Sequence, residues 1–102
     1  MIAEDLCKAI GKTAATAAPC GWTRLWIIAE MESDNGQCLF DYETATEGRT
    51  WFAPTESDQF VIYKAFQDIR AAMLIEKASL WRVAKFSMEP DGKFHLDFEY
   101  ES

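Results

Sequence analysis

Apolar residues recur at helical spacing near the start of the chain, where Ile2, Leu6, Ile10 and Ala14 fall at four-residue steps with Ala9 and Thr13 beside them. That stripe predicts an amphipathic helix over residues 2 to about 17. Glu4 and Asp5 near its start, with Lys8 and Lys12 further along, suit the helix dipole. Pro19 and Gly21 end it. Residues 22–32 are rich in aromatic and β-branched types and read as a long strand. Asn35-Gly36 marks a two-residue hairpin turn, since both turn positions need positive φ, and residues 37–44 return as a second strand. Glu47-Gly48 turns the chain again, and residues 49–53 form a short third strand stopped by Pro54.

The segment T-E-S-D-Q-F offers helix caps at Thr55 or Ser57. The helix that follows runs to about Lys77, with Ile62, Phe66, Ile69, Met73, Ala65 and Ala72 on its apolar stripe. Residues 80–88 and 93–101 are two more strands, joined by E-P-D-G, in which Pro presets φ and Gly accepts the left-handed conformation. In the last strand Phe94, Leu96, Phe98 and Tyr100 alternate with Lys93, His95, Asp97, Glu99 and Glu101. This predicts one buried face and one face lined with acids.

The order is α-β-β-β-α-β-β with short connections. It predicts an α+β, two-layer fold: an antiparallel β-sheet with both helices on one face. No repeat, low-complexity stretch or linker interrupts residues 1–102, which suit one domain.

With Asn35 and Gly36 as the turn, Glu30 would face Asp41 and Ile28 would face Glu43. One face of the hairpin then carries Leu25, Ile27, Ala29, Met31, Cys38, Phe40 and Tyr42 and belongs under the helices. The other carries Trp26, Ile28, Glu30, Glu32, Leu39, Asp41 and Glu43, and the last strand adds Asp97, Glu99 and Glu101 beside His95. Like charges directly opposite one another, as Glu30 and Asp41 would be, destabilise a sheet by up to about 1 kcal/mol. Apolar anchors ringed by carboxylates suit a basic protein partner. The candidate contact residues are therefore Trp26, Ile28, Glu30, Glu32, Asp41, Glu43, Asp97 and Glu99. The plainer alternative is a solvated outer face with stray apolar residues.

Seventeen acids against ten bases give a net charge of −7 and argue against direct binding of nucleic acid. The longest apolar run, residues 25–29, is far below the ~20 residues of a membrane span. Glu4 and Asp5 stand where a signal peptide would carry basic residues. Cys7, Cys20 and Cys38 are widely spaced, without a C-x-x-C pair, and read as reduced thiols of a cytoplasmic protein. The lone histidine, His95, has Asp97 two residues on but no nucleophile that the sequence places beside them. The carboxylates lack a metal-loop spacing and the glycines form no phosphate loop. The chain reads as non-catalytic, without cofactor or metal.

Several of these segments together resemble the YezG-like immunity proteins of bacterial polymorphic-toxin systems. The likeness lies in the opening amphipathic helix, G-W-T-R-L-W-I-I-A-E-M-E at residues 21–32, the turn at 34–36, and C-L-F-D-Y-E at residues 38–43. It continues through the long helix and Trp81 to the closing G-K-F-H-L-D-F-E-Y-E at residues 92–101. The Ala29-Glu30 pair and the closing GKF-x-x-D-F-x-Y segment are its most specific parts. The short interval between Thr44 and Pro54 implies a reduced third strand.

The resemblance implies a cytoplasmic antitoxin; the acidic, apolar-studded sheet face, with no second edge pattern that demands self-pairing, predicts a chain that is monomeric or weakly dimeric alone. Its partner would be a cognate toxin C-terminal domain, usually a basic nuclease, bound one to one. Contact residues are not uniform in such families, so none is carried over. A rival reading is a small acidic secretion chaperone binding an extended effector segment. Such chaperones share the element order but generally add a C-terminal helix, where this chain closes on a strand.

Overall fold

The computed structural model describes residues 2–31, 36–77 and 81–100. The elements follow in the expected order: α1 (Ile2–Ala17), β1 (Trp22–Met31), β2 (Gly36–Thr44), β3 (Thr50–Trp51), α2 (Glu56–Lys77), β4 (Trp81–Met88) and β5 (Phe94–Tyr100). The strands form one antiparallel sheet in the order β3-β2-β1-β4-β5. Both helices lie on one face of it, making the α+β two-layer architecture. β3 is reduced to two residues.

Local chemistry sets the helix ends. Ala18 N donates to Ala14 O in the last turn of α1, and Gly21 takes a φ of 87° to redirect the chain. Thr55, not Ser57, caps α2, its Oγ1 accepting from Asp58 N at 3.1 Å. The buried stripe of α2 is Ile62, Ala65, Phe66 and Ile69, as the periodicity predicts. On α1 the buried positions are Cys7, Ile10, Gly11 and Ala14. The stripe is thus turned toward Cys7, and Ala9 is exposed. Gly11 lets α1 approach the sheet closely, because a Cβ there would lie 2.7 Å from Met88 Sδ.

Between the layers sit Leu25, Ile27, Ala29, Phe40, Trp81, Ala84 and Phe86, all nearly or fully buried. Each large side chain of this kind stabilises the fold by roughly 1.5–3 kcal/mol through burial. Two bulges shape this layer. β1 carries one extra residue between Trp22 and Arg24, and β4 carries one between Trp81 and Val83. Each reverses the alternation once, so Trp22 and Trp81 join the core side although simple period-two counting from Trp26 or Val83 would turn them outward. Trp81 is fully buried, with Phe66 edge-on at 6.4 Å and Phe98 at 5.3 Å between ring centroids.

The β1–β2 register differs from the one a turn at Asn35-Gly36 would give. Glu30 faces Gln37, Ile28 faces Leu39, and Asp41 faces Trp26, a slide of four residues. Gly36 is an extended strand residue opposite Met31, without positive φ. Its lack of a side chain serves proximity instead: a Cβ would lie 2.6 Å from Glu30 O and 3.1 Å from the Tyr63 ring. Glu32, Asn35 and Glu101 lie outside the described residues. Because four is even, every residue keeps its face while every partner changes.

The β4–β5 turn is built as the sequence indicates, with Gly92 at φ 92° and Gly92 N donating to Glu89 O at 3.0 Å. The apolar face of β5 is only partly covered, however. Leu96 and Phe98 are half-buried, while Phe94 and Tyr100 are 39% and 42% exposed. β5 is an edge strand, and the two helices do not reach across it.

Candidate functional site

The face opposite the helices brings most of the sequence-predicted residues together. Trp26, Ile28, Glu30, Asp41 and Glu43 are half-buried there, and Asp97 and Glu99 are exposed on β5. Glu32 lies outside the described residues. Cross-strand pairing arranges the face in rows. One runs Trp51, Asp41, Trp26, Ser87, His95; the next runs Leu39, Ile28, Lys85, Asp97. A third runs Gln37, Glu30, Val83, Glu99.

The acids on this face are not massed against one another. Glu30, expected to oppose Asp41, accepts a hydrogen bond from Gln37 Nε2 at 2.7 Å. Asp41 accepts from Arg49 Nε at 2.7 Å, and the Arg49 guanidinium lies over the Trp26 ring, 4.3 Å from its centre. Glu99 pairs with Lys85 at 2.5 Å, and His95 Nε2 lies 2.9 Å from Asp97 Oδ2. Arg24 bridges to Glu89 at 2.8 Å across the β1–β4 boundary. Among the described residues, Glu30 and Glu43 are the acids of this face that have no cationic partner.

Apolar surface is the feature that the sequence reading undervalued. Trp51 is 74% exposed and Leu39 51%. They stand beside the half-buried Ile28 on the rim where β3 ends. Adjacent aromatics at Trp51-Phe52 were the available signal, since alternation sends one of the two outward. Phe52 is buried against Phe40 and Tyr42. Arg49 and Trp51 therefore belong to this face on the same footing as the residues expected from β1 and β2.

Catalytic chemistry finds little support in the arrangement. Ser87 stands opposite His95 on the neighbouring strand, a juxtaposition the sequence could not place, but no hydrogen bond joins them. A triad needs a nucleophile bonded to its base and a held carboxylate, whereas the His95 and Asp97 side chains are 74% and 67% exposed. Burial raises the Cys38 thiol to about 12, and burial with Glu4 nearby raises that of Cys7. Both shifts oppose thiolate formation. Among the described residues no group of three or more His, Cys, Asp or Glu is placed to hold a metal ion. Among them, too, no helix is long and apolar enough to cross a membrane.

No protein-family model matches the chain. Among curated proteins it is similar to the immunity protein YezG of Bacillus subtilis (strain 168), with 20% identity over 110 residues. The match spans 96% of this chain and 73% of that protein. It is a distant likeness that runs nearly end to end.

Proposed function

We propose that this chain is a non-catalytic, cytoplasmic immunity protein that neutralises a cognate toxin domain by binding it on the outer face of the sheet. The observation that carries the reading is the similarity to an immunity protein along 96% of the chain. The face supplies what such a contact needs: Trp51, Leu39 and Ile28 as apolar anchors, and Glu30 and Glu43 as carboxylates without cationic partners among the described residues. Large apolar side chains near the centre of an interface carry most of its binding energy, and rim charges mainly set the rate of encounter.

A basic toxin, such as a nuclease, fits the net charge of −7, because a protein that grips a polyanion presents the opposite sign. Arg24, Arg49, Lys85 and His95 are already engaged with acids of this chain, so among the described residues Glu30 and Glu43 are the charges left on this face to meet an incoming Lys or Arg. The complex is one toxin domain per chain.

The test is co-expression with the variable C-terminal domain of a secreted protein encoded next to this gene. The intact chain should restore growth and co-purify with that domain at equimolar ratio. A Leu39→Ala, Trp51→Ala double variant that stays folded should lose both. Full protection by that variant would move the contact to another surface. Failure of the intact chain, with tight binding of an extended apolar peptide instead, would favour a secretion chaperone.

A further inference from the structure

β5 closes one edge of the sheet, with β4 on one side and, among the described residues, no strand on the other. Its hydrogen-bonding phase follows from the turn before it. Glu89 N donates to Lys93 O at 2.9 Å, so Lys93 is directed at β4. In an antiparallel strand both backbone polar groups of a residue point the same way and successive residues alternate. His95, Asp97 and Glu99 are therefore spent on β4, while Phe94, Leu96 and Phe98 turn N–H and C=O to the open edge. Their side chains lie on the helix-bearing side, which the helices leave partly uncovered, with Phe94 39% exposed.

An open edge of this kind is a template for another strand unless its charges repel one. Here they are self-complementary. We infer that β5 pairs with β5 of a second copy of this chain, antiparallel about a two-fold axis at Leu96, and joins the two five-stranded sheets into one. In that register Lys93 faces Glu99 of the second copy and His95 faces its Asp97, each pair occurring twice by symmetry. Phe94 faces Phe98, and Leu96 faces its own copy, so all the outward-turned backbone groups meet their counterparts.

Neighbouring registers make fewer complementary pairs: centring on His95 keeps only Lys93 with Asp97 and opposes the histidine to its copy, centring on Asp97 opposes two carboxylates, and centring on Phe98 sets Asp97 against Glu99. Lys93 has its side chain 82% exposed, with only a 3.8 Å contact to Asp91, so it is available to the second copy. Glu99 would sit between that lysine and its own Lys85, with no existing pair broken. The pairing leaves the anchors at Trp51 and Leu39, at the far edge of the sheet, uncovered.

Sedimentation velocity on the intact chain, at physiological salt and over a range of concentrations, tests this. A species of twice the 11.6 kDa chain mass should grow in with concentration. K93E alone, which opposes two acids twice over, should weaken the dimer at least tenfold, and E99K alone, which opposes two lysines, should do likewise. Mixed one to one, the two variants should recover a dimer, because each then supplies the charge the other lacks. Circular dichroism of each variant alone keeps loss of fold distinct from loss of pairing. A wild-type chain that stays monomeric up to its solubility limit overturns the inference. So does a dimer indifferent to K93E, or a mixture that fails to recover. No toxin enters the measurement, so its outcome is separate from that of the functional reading.

Discussion

Arg49 lies over Trp26, its guanidinium carbon 4.3 Å from the ring centre, while its Nε holds Asp41 at 2.7 Å. One side chain from the segment leading into β3 thus braces β1 and β2 on the outer face. Exposed cation–π contacts contribute about 0.5–1 kcal/mol. Ion pairs that are partly exposed contribute about 0.2–1 kcal/mol. Arg49→Ala should therefore cost about 1 kcal/mol in urea denaturation. Arg49→Lys should recover only part of it, since an ammonium neither stacks as a plane nor bonds as a fork.

Charge reversal on this face should be asymmetric. Asp41→Lys sets an ammonium against Arg49 and should lose about 1 kcal/mol. Glu30→Lys forfeits one exposed hydrogen bond to Gln37 and should stay within about 0.5 kcal/mol of the parent. Thermal melts of the two single variants check this. A stabilised Asp41→Lys would mean that Asp41 faces a carboxylate instead, as in the register with a turn at Asn35-Gly36.

The two phenylalanines that flank Trp81 should separate clearly. Phe66 is fully buried and edge-on to Trp81, so Phe66→Ala should lose about 3–5 kcal/mol. Phe98 is half-buried on the edge strand, and its removal should cost distinctly less. Chemical denaturation with a common slope gives the comparison directly.

Glycine positions offer a contrast between rigid and yielding neighbours. At Gly36 an added methyl meets the Glu30 carbonyl at 2.6 Å, which is backbone, and Gly36→Ala should cost about 1–3 kcal/mol. At Gly11 it meets the sulfur of Met88, a flexible side chain. Gly11→Ala also gains about 1 kcal/mol of helix propensity, so its net effect should be near zero. Melting temperatures of the two variants decide it.

Thiol reactivity should follow burial. Cys20 is exposed and should react first with a thiol reagent at pH 8, half-buried Cys38 more slowly, and buried Cys7 only when the chain unfolds. Cys38 titrates near 12 in the folded chain against an ordinary 9.0. The neutral thiol is therefore favoured by folding. That contribution is whole below about pH 9 and is lost as pH rises toward 12, so denaturant midpoints should fall over this alkaline window. Cys38→Ala should flatten part of that fall.

The helices, the order of elements along the chain and the side of the sheet that each residue of β2 presents were legible because burial writes itself into period. Ile62, Phe66 and Ile69 declare their helix face with no knowledge of what covers them. Trp22 and Trp81 were not legible in this way, since a bulge is a backbone event and leaves the residue types unchanged. Partners across the hairpin were misread because Asn35-Gly36 carries a strong local turn preference, whereas Gly36 stands in the strand where a side chain would meet the Tyr63 ring of α2, distant in sequence. The exposure of Phe94 and Tyr100 escaped for a related reason: alternation shows which face is apolar, not how far a helix reaches across it. Of the candidate contact residues, the β1 and β2 members follow from alternation alone. Arg49 and Trp51 needed the pairing of β3, which two residues of strand do not announce.

The four-residue slide of the first hairpin has a further consequence. Burial cannot choose between two pairings that differ by an even step, because both hide the same Ile27, Ala29 and Phe40. What separates them on the exposed side is polar: one sets Glu30 against Asp41, and the other gives Glu30 to Gln37 and Asp41 to Arg49. The carboxylates on the outside of the sheet thus favour one of two equally well buried alignments of β2 along β1, because only that one keeps Glu30 away from Asp41.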